Sequence, residues 1–141
     1  MNSDLFSHLN WLSILAGALG YFLVGAIWYS FLFRDSWIRA TKIDMNDPNG
    51  KKGVAGIMVT SFILMVVASL GIALLLSKTG TTGGWMTGAK VGLVVSVCFM
   101  VTAISNSYLY EKRPSALHFI NGGYNVVGCV ICGVIQAVWP W

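Results

Sequence analysis

A chain of 141 residues that is 56% hydrophobic and only 10% charged cannot be an ordinary water-facing globule, in which roughly 25% of residues are charged. Its surface has to meet lipid, and its length suits a single domain. The net charge of +4 gathers in short connections rather than along a face, which argues against nucleic-acid binding and fits the basic loops beside membrane helices.

Met1 to Asn10 lacks the basic segment of a secretory signal, so the first apolar run reads as a retained membrane helix. About 20 apolar residues, each rising about 1.5 Å, cross a hydrocarbon core about 30 Å thick. Four runs meet that length. The first is Trp11 to Phe33, without a charge. The connection 34–53 follows, with Asp35 to Lys42 suited to a short amphipathic helix on the membrane surface and Asp44 to Gly50 to a solvated turn. The second run, Val54 to Leu76, is again uncharged, and Thr79 to Gly84 is a glycine-rich exposed connection. The third, Trp85 to Tyr110, carries Lys90 near its start, where the long stem reaches the interface. Glu111 to Ser115 is so short that the third and fourth helices have to be antiparallel neighbours, with Pro114 and Ser115 suited to opening the next helix. The fourth run is Leu117 to Trp139. None alternates apolar and polar residues as a barrel strand does. The fold class is therefore all-α, an integral membrane four-helix bundle.

Arg34, Arg39, Lys42, Lys51 and Lys52 lie in the first connection, and Lys112 and Arg113 in the third, against only Lys78 and Lys90 on the other side. Cations stay cytoplasmic, so both termini are expected on the non-cytoplasmic side. Trp11, Trp85, Trp139 and Trp141 form one interfacial belt, and Trp28, Tyr29, Trp37, Tyr108 and Tyr110 the other.

The fourth helix carries Asn121, Asn125, Gly128, Cys132 and Gln136 at spacings of four, three, four and four, which share one face. Amides facing lipid are costly, so this face turns inward. The third helix offers Cys98, Thr102, Ser105 and Asn106, and the tight hairpin sets Asn106 and Asn121 at similar depth. Thr102, Asn106, Asn121, Asn125 and Gln136 thus form a polar intramembrane face. It serves either as interhelical hydrogen bonding that fixes register or as the lining of a pocket or pore. Gly88, Gly92 and Ser96 make one ridge of small residues, and Ser13, Gly17, Tyr21 and Gly25 a second. Both suit close backbone packing, within the subunit or between subunits, with the first favoured.

Chemistry is harder to assemble. Cys129 and Cys132 form a CxxC, with Cys98 at comparable depth, but thiolates are unfavourable in hydrocarbon, where cysteine acts as a small apolar residue. His8 and His118 fall on opposite sides, which leaves single ligation by His118 as the one haem geometry. Glu111 and Arg113 suit an ion pair. No carboxylate lies mid-membrane for a proton relay. The Thr79–Gly84 glycines lack the lysine of a phosphate loop, and Pro48 ends a calcium-loop match begun at Asp44 and Asn46. No catalytic set, cofactor or metal site is expected.

Two segments carry a resemblance. Gly25-Ala26-Ile27-Trp28-Tyr29-Ser30, followed by Phe33 and Trp37, closes the first helix. Asn106-Ser107-Tyr108-Leu109-Tyr110-Glu111-Lys112-Arg113-Pro114, then Ile120-Asn121-Gly122-Gly123-Tyr124, spans the second hairpin. Together they resemble the bacterial membrane family called domain of unknown function 1761, over nearly the whole chain. The resemblance implies a small four-helix protein of a bacterial cell membrane and picks out Trp28, Tyr29, Asn106, Glu111, Arg113, Asn121 and Tyr124, without supplying a reaction. Phe31 stands where the family often has proline, and Asn125 where it often has histidine. The expected role is an accessory, structural or interaction subunit, working in the lipid bilayer as a homo-oligomer or within a larger membrane complex. The alternative is a homo-oligomeric channel or small transporter lined by the polar face. An enzyme or cofactor carrier using His118 or the cysteines ranks below both.

Overall fold

The computed structural model describes residues 9–41, 54–79 and 84–139, all helix or short connection, with no strand among the described residues. The sequence readings on Met1 to His8, on Lys42 to Gly53, on residues 80–83 and on Trp141 lie outside them. Helix α1 spans Trp11–Ile27 and widens into a π-helical turn over Trp28–Leu32. Short α2 covers Arg34–Thr41, and α3 runs Val54–Thr79. Helix α4, Trp85–Val95, passes through a second π-helical segment, Ser96–Val101, into α5, Thr102–Glu111, and α6 spans Ser115–Val138. Among the described residues, four stretches are long and apolar enough to cross a membrane: Trp11–Leu32, Ala55–Thr79, Trp85–Glu111 and Ser115–Val138. The shortest has 22 residues, a rise of about 33 Å. This is a multi-pass membrane protein.

Local chemistry sets the ends. Asn10 caps α1, its side-chain oxygen accepting from the backbone N–H of Leu12 at 3.0 Å and of Ser13 at 3.3 Å, which satisfies donors that would otherwise have no partner. The α5–α6 hairpin closes through Lys112 in the left-handed region, φ 56°. That twist lets the Arg113 N–H reach the Tyr108 carbonyl at 3.0 Å, a closure of the Schellman kind. Pro114 then starts α6 with extended backbone.

Helix α6 holds the bundle together, packing against α1 and α4 and touching α3 and α2. Both ridges of small residues turn inward, with Gly88, Gly92, Ser96, Ser13, Gly17, Tyr21 and Gly25 all buried. A Cβ on Gly88 would strike the Gly133 carbonyl, and one on Gly92 the Cys129 carbonyl. The α4 and α6 backbones therefore touch directly, gaining dispersion contact where lipid supplies no hydrophobic drive. The fully buried core comprises Ile14, Ala18, Ile72, Ala73, Leu76, Cys129 and Cys132. Leu15, Leu19 and Leu23 on α1 and Ile63, Leu64 and Val67 on α3 face outward, as a lipid-solvated surface requires.

Candidate functional site

The four spans form a ring in the order α3, α1, α6 and α4–α5. Helix α3 packs on α1 and on α4, yet it barely meets α5. The ring is thus closed near the α3–α4 connection and split near the other end. Two adjoining hollows of about 580 and 450 Å³ fill the split and share Ser61, Met65, Ile104, Tyr124 and Asn125 as walls. Their rims are apolar and exposed, with Leu64 on α3 across the smaller hollow from Phe99 and Ala103 on the third span, and Ile57 at the edge of the larger one. The cleft opens sideways, toward lipid.

Its back wall is polar. Tyr29 donates to the Asn121 side-chain oxygen at 2.5 Å, and the Asn121 amide donates to the Tyr108 hydroxyl at 2.5 Å. One turn on, the Asn125 amide reaches the Asn121 carbonyl at 2.8 Å, and Tyr21 donates to the Asn125 side-chain oxygen. Below this chain the Met100 sulfur lies 3.6 Å from the Tyr21 hydroxyl and 3.3 Å from the Cys129 sulfur. Tyr124 packs edge-on between Tyr21 and Tyr29, with both centroid distances 5.3 Å. Glycines let these rings in, since Gly25 lies against Tyr124 and Gly128 against Tyr21. Behind Tyr29, the Trp28 indole donates to the Ile120 carbonyl at 2.9 Å and lies over Gly123.

Both π-helical segments border the cleft. The first contains Tyr29 and Ser30, and the second Phe99 and Met100. Such a segment inserts an extra residue, turns everything beyond it, and recurs at functional sites. Its effect on the third span is concrete. Asn106 follows Gly88 by 18 residues, five full turns of a straight α-helix, and would share its α6-facing side. The inserted residue brings Val101 against Gly122 and Tyr108 against His118 and Asn121 instead. Asn106 and Thr102 are exposed, with the Thr102 hydroxyl donating to the carbonyls of Cys98 at 2.8 Å and Phe99 at 3.1 Å in its own helix.

The polar face is therefore divided three ways. Asn121 and Asn125 join in the cleft, while Thr102 and Asn106 point away from it. Gln136 belongs to a separate, fully buried cluster: its amide donates to the Ser69 carbonyl at 2.9 Å and hydroxyl at 2.6 Å. Ser69 in turn donates to the Ile14 carbonyl at 2.7 Å, tying α1, α3 and α6 together. Of the motif positions, Tyr29, Asn121 and Tyr124 line the cleft and Trp28 backs it. Glu111 and Arg113 form an exposed ion pair at 3.1 Å in the hairpin. Cys129 meets Met100 and Cys132 meets Ser69 at 3.3 Å, while Cys98 is exposed. Among the described residues, no three metal-ligating side chains come together.

Sequence reasoning missed Tyr108 and Tyr21 as the amides' partners, and Ser69 as Gln136's. Tyr108, near a helix end, reads as part of an interfacial belt, Tyr21 reads as part of a packing ridge, and Ser69 in an apolar run carries no signal of what it faces.

No curated protein and no solved structure matches the chain. A family model described as protein of unknown function (DUF1761) matches residues 12–137, from the first turn of α1 to the last of α6. That match covers the four spans except Trp11 and Val138 at their outer ends, both π-helical segments and every residue of the cleft. The chain belongs to the DUF1761 family.

Proposed function

We propose that this protein is an accessory subunit of the membrane that binds a lipid-soluble molecule in the cleft between α3 and α5. The observation that carries this reading is the tyrosine–asparagine wall at the back of a laterally open cleft. A bundle needing only fixed register has it already in Gln136 and Ser69. A gap between helices forfeits packing, and hydroxyls set against hydrocarbon are costly, so a cleft combining both is better suited to a ligand than to stability. Hollows of this size fall within the range of about 300–1,000 Å³ typical of small-molecule sites.

Seven cations in the first and third connections against two on the other side support a cytoplasmic placing of those connections. The cleft then lies in the cytoplasmic half of a bacterial cell membrane, with both termini outside. With no catalytic set in the sequence, action through a larger complex or through copies of itself is the natural role. A conducting path along the polar face has less support, because Asn121 and Asn125 bond to tyrosines of their own bundle and Thr102 and Asn106 face away.

Native mass spectrometry of the gently solubilised protein tests the reading. The wild type is expected to carry a near-stoichiometric small-molecule adduct, and Ile104→Trp, which fills the cleft, to lose it. A wild type without any adduct, or an adduct indifferent to Ile104→Trp, would overturn the proposal.

A further inference from the structure

The hydrogen-bonding capacity left in the cleft after its internal bonds points to the chemistry of the occupant, an inference that rests on the binding role just proposed. The side-chain oxygens of Asn121 and Asn125 each already accept a tyrosine hydroxyl. The donors are less fully used. Tyr108 accepts from Asn121, which leaves its own hydroxyl proton to give. The Tyr124 hydroxyl meets the Met65 sulfur at 3.8 Å, and a thioether is a weak acceptor. The Asn125 amide has two protons and gives one to the Asn121 carbonyl. Ser61 adds a hydroxyl from the α3 side. The back wall is donor-rich.

Among the described residues, none that lines either hollow is ionic, and the Glu111–Arg113 pair in the hairpin is bound to itself. An ionised headgroup drawn into this cleft would lose its hydration without gaining a counter-charge. The rest of the lining is Ser30, aromatic rings, Met58, Met65 and Met100, and aliphatic carbon, with the exposed rim opening between α3 and α5.

We infer that the cleft takes a neutral amphiphile whose headgroup presents carbonyl oxygens to Tyr108, Tyr124 and Asn125, with its apolar tail leaving between α3 and α5. A quinone ring and a glyceride ester share this chemistry.

The test titrates purified wild-type protein with three tail-matched probes, a dodecyl-substituted benzoquinone, didecanoylglycerol and dodecylbenzene, reading occupancy by native mass spectrometry. At least one carbonyl probe is expected to bind about tenfold or more tightly than dodecylbenzene, and the stronger of the two tells ring from ester. Tyr108→Phe and, separately, Tyr124→Phe are each expected to weaken the carbonyl probe by about threefold to tenfold, the effect of one hydrogen bond, and to leave dodecylbenzene unchanged. Ile104→Trp should exclude all three. Dodecylbenzene binding as tightly as the carbonyl probes, or carbonyl binding indifferent to both tyrosine variants, would overturn the headgroup assignment while leaving the cleft a binding site. No saturable binding of any probe to the wild type would overturn the binding role itself.

Discussion

The contact between α4 and α6 gives the sharpest stability prediction. Gly88 and Gly133 meet backbone to backbone, and a methyl group on Gly88 would lie within bonding-like range of the Gly133 carbonyl and against the Ala137 Cβ. Neither neighbour can swing aside as a long side chain would. Gly88→Ala therefore has to push two helices apart along their closest line, undoing the Gly92–Cys129 contact one turn away as well. Overpacking typically costs about 1–3 kcal/mol. Here the upper end is expected, offset by less than about 1 kcal/mol of helix propensity gained from alanine. Gly71→Ala is the internal control, because nothing lies within 4 Å of a Cβ placed there. It should be neutral or slightly stabilising. Reversible unfolding of both variants in mild detergent or bicelles measures the difference. If Gly88→Ala stays within about 0.5 kcal/mol of Gly71→Ala, the direct backbone contact is wrong.

Gln136→Leu removes the amide that satisfies the Ser69 carbonyl and hydroxyl, and should cost about 1–3 kcal/mol in the same assay; an unchanged midpoint would mean that the α1–α3–α6 cluster is not a structural tie. Lys112→Gly relieves a left-handed non-glycine residue at φ 56° and should stabilise the hairpin by up to about 1–2 kcal/mol. A loss of stability would count against that turn. With Cys98, Cys129 and Cys132 replaced by alanine, Asn10→Cys should be labelled by a membrane-impermeant maleimide outside intact cells, and Ser115→Cys only after lysis. The reverse pattern would invert the proposed topology.

The four spans were legible because length and apolarity alone make a membrane helix, and an uncharged run such as Val54 to Leu76 admits no other reading. The packing ridges were legible too, since glycine at every fourth position has few uses in lipid besides close approach. The cleft was not. Helix α3 is apolar all round, so nothing in Ile57, Met58, Leu64 or Met65 says which faces protein and which faces a gap. The tight hairpin sets Asn106 and Asn121 at similar depth, but depth does not fix which way a side chain faces, and the helix is π-wound over Ser96–Val101. No side chain there announces the inserted residue. The Tyr108 hydroxyl replaced Asn106 as a partner of Asn121 because that insertion turned it inward, and Tyr29 joins from the π-helical turn of the first span.

The central position of α6 bears on how the molecule comes into being. Ribosomes deliver this helix after the other three spans, and it is the least hydropathic of the four, burdened with Asn121, Asn125 and Gln136. Until it arrives, Gly25 of α1 and Gly88 and Gly92 of α4 lack the α6 atoms they pack against, and α1 and α3 form the main finished pair. The packing faces of α1 and α4 are therefore completed only when α6 enters the bilayer. A chain stalled before Ser115 would present quality-control proteases with three helices and no bundle, however well each had inserted.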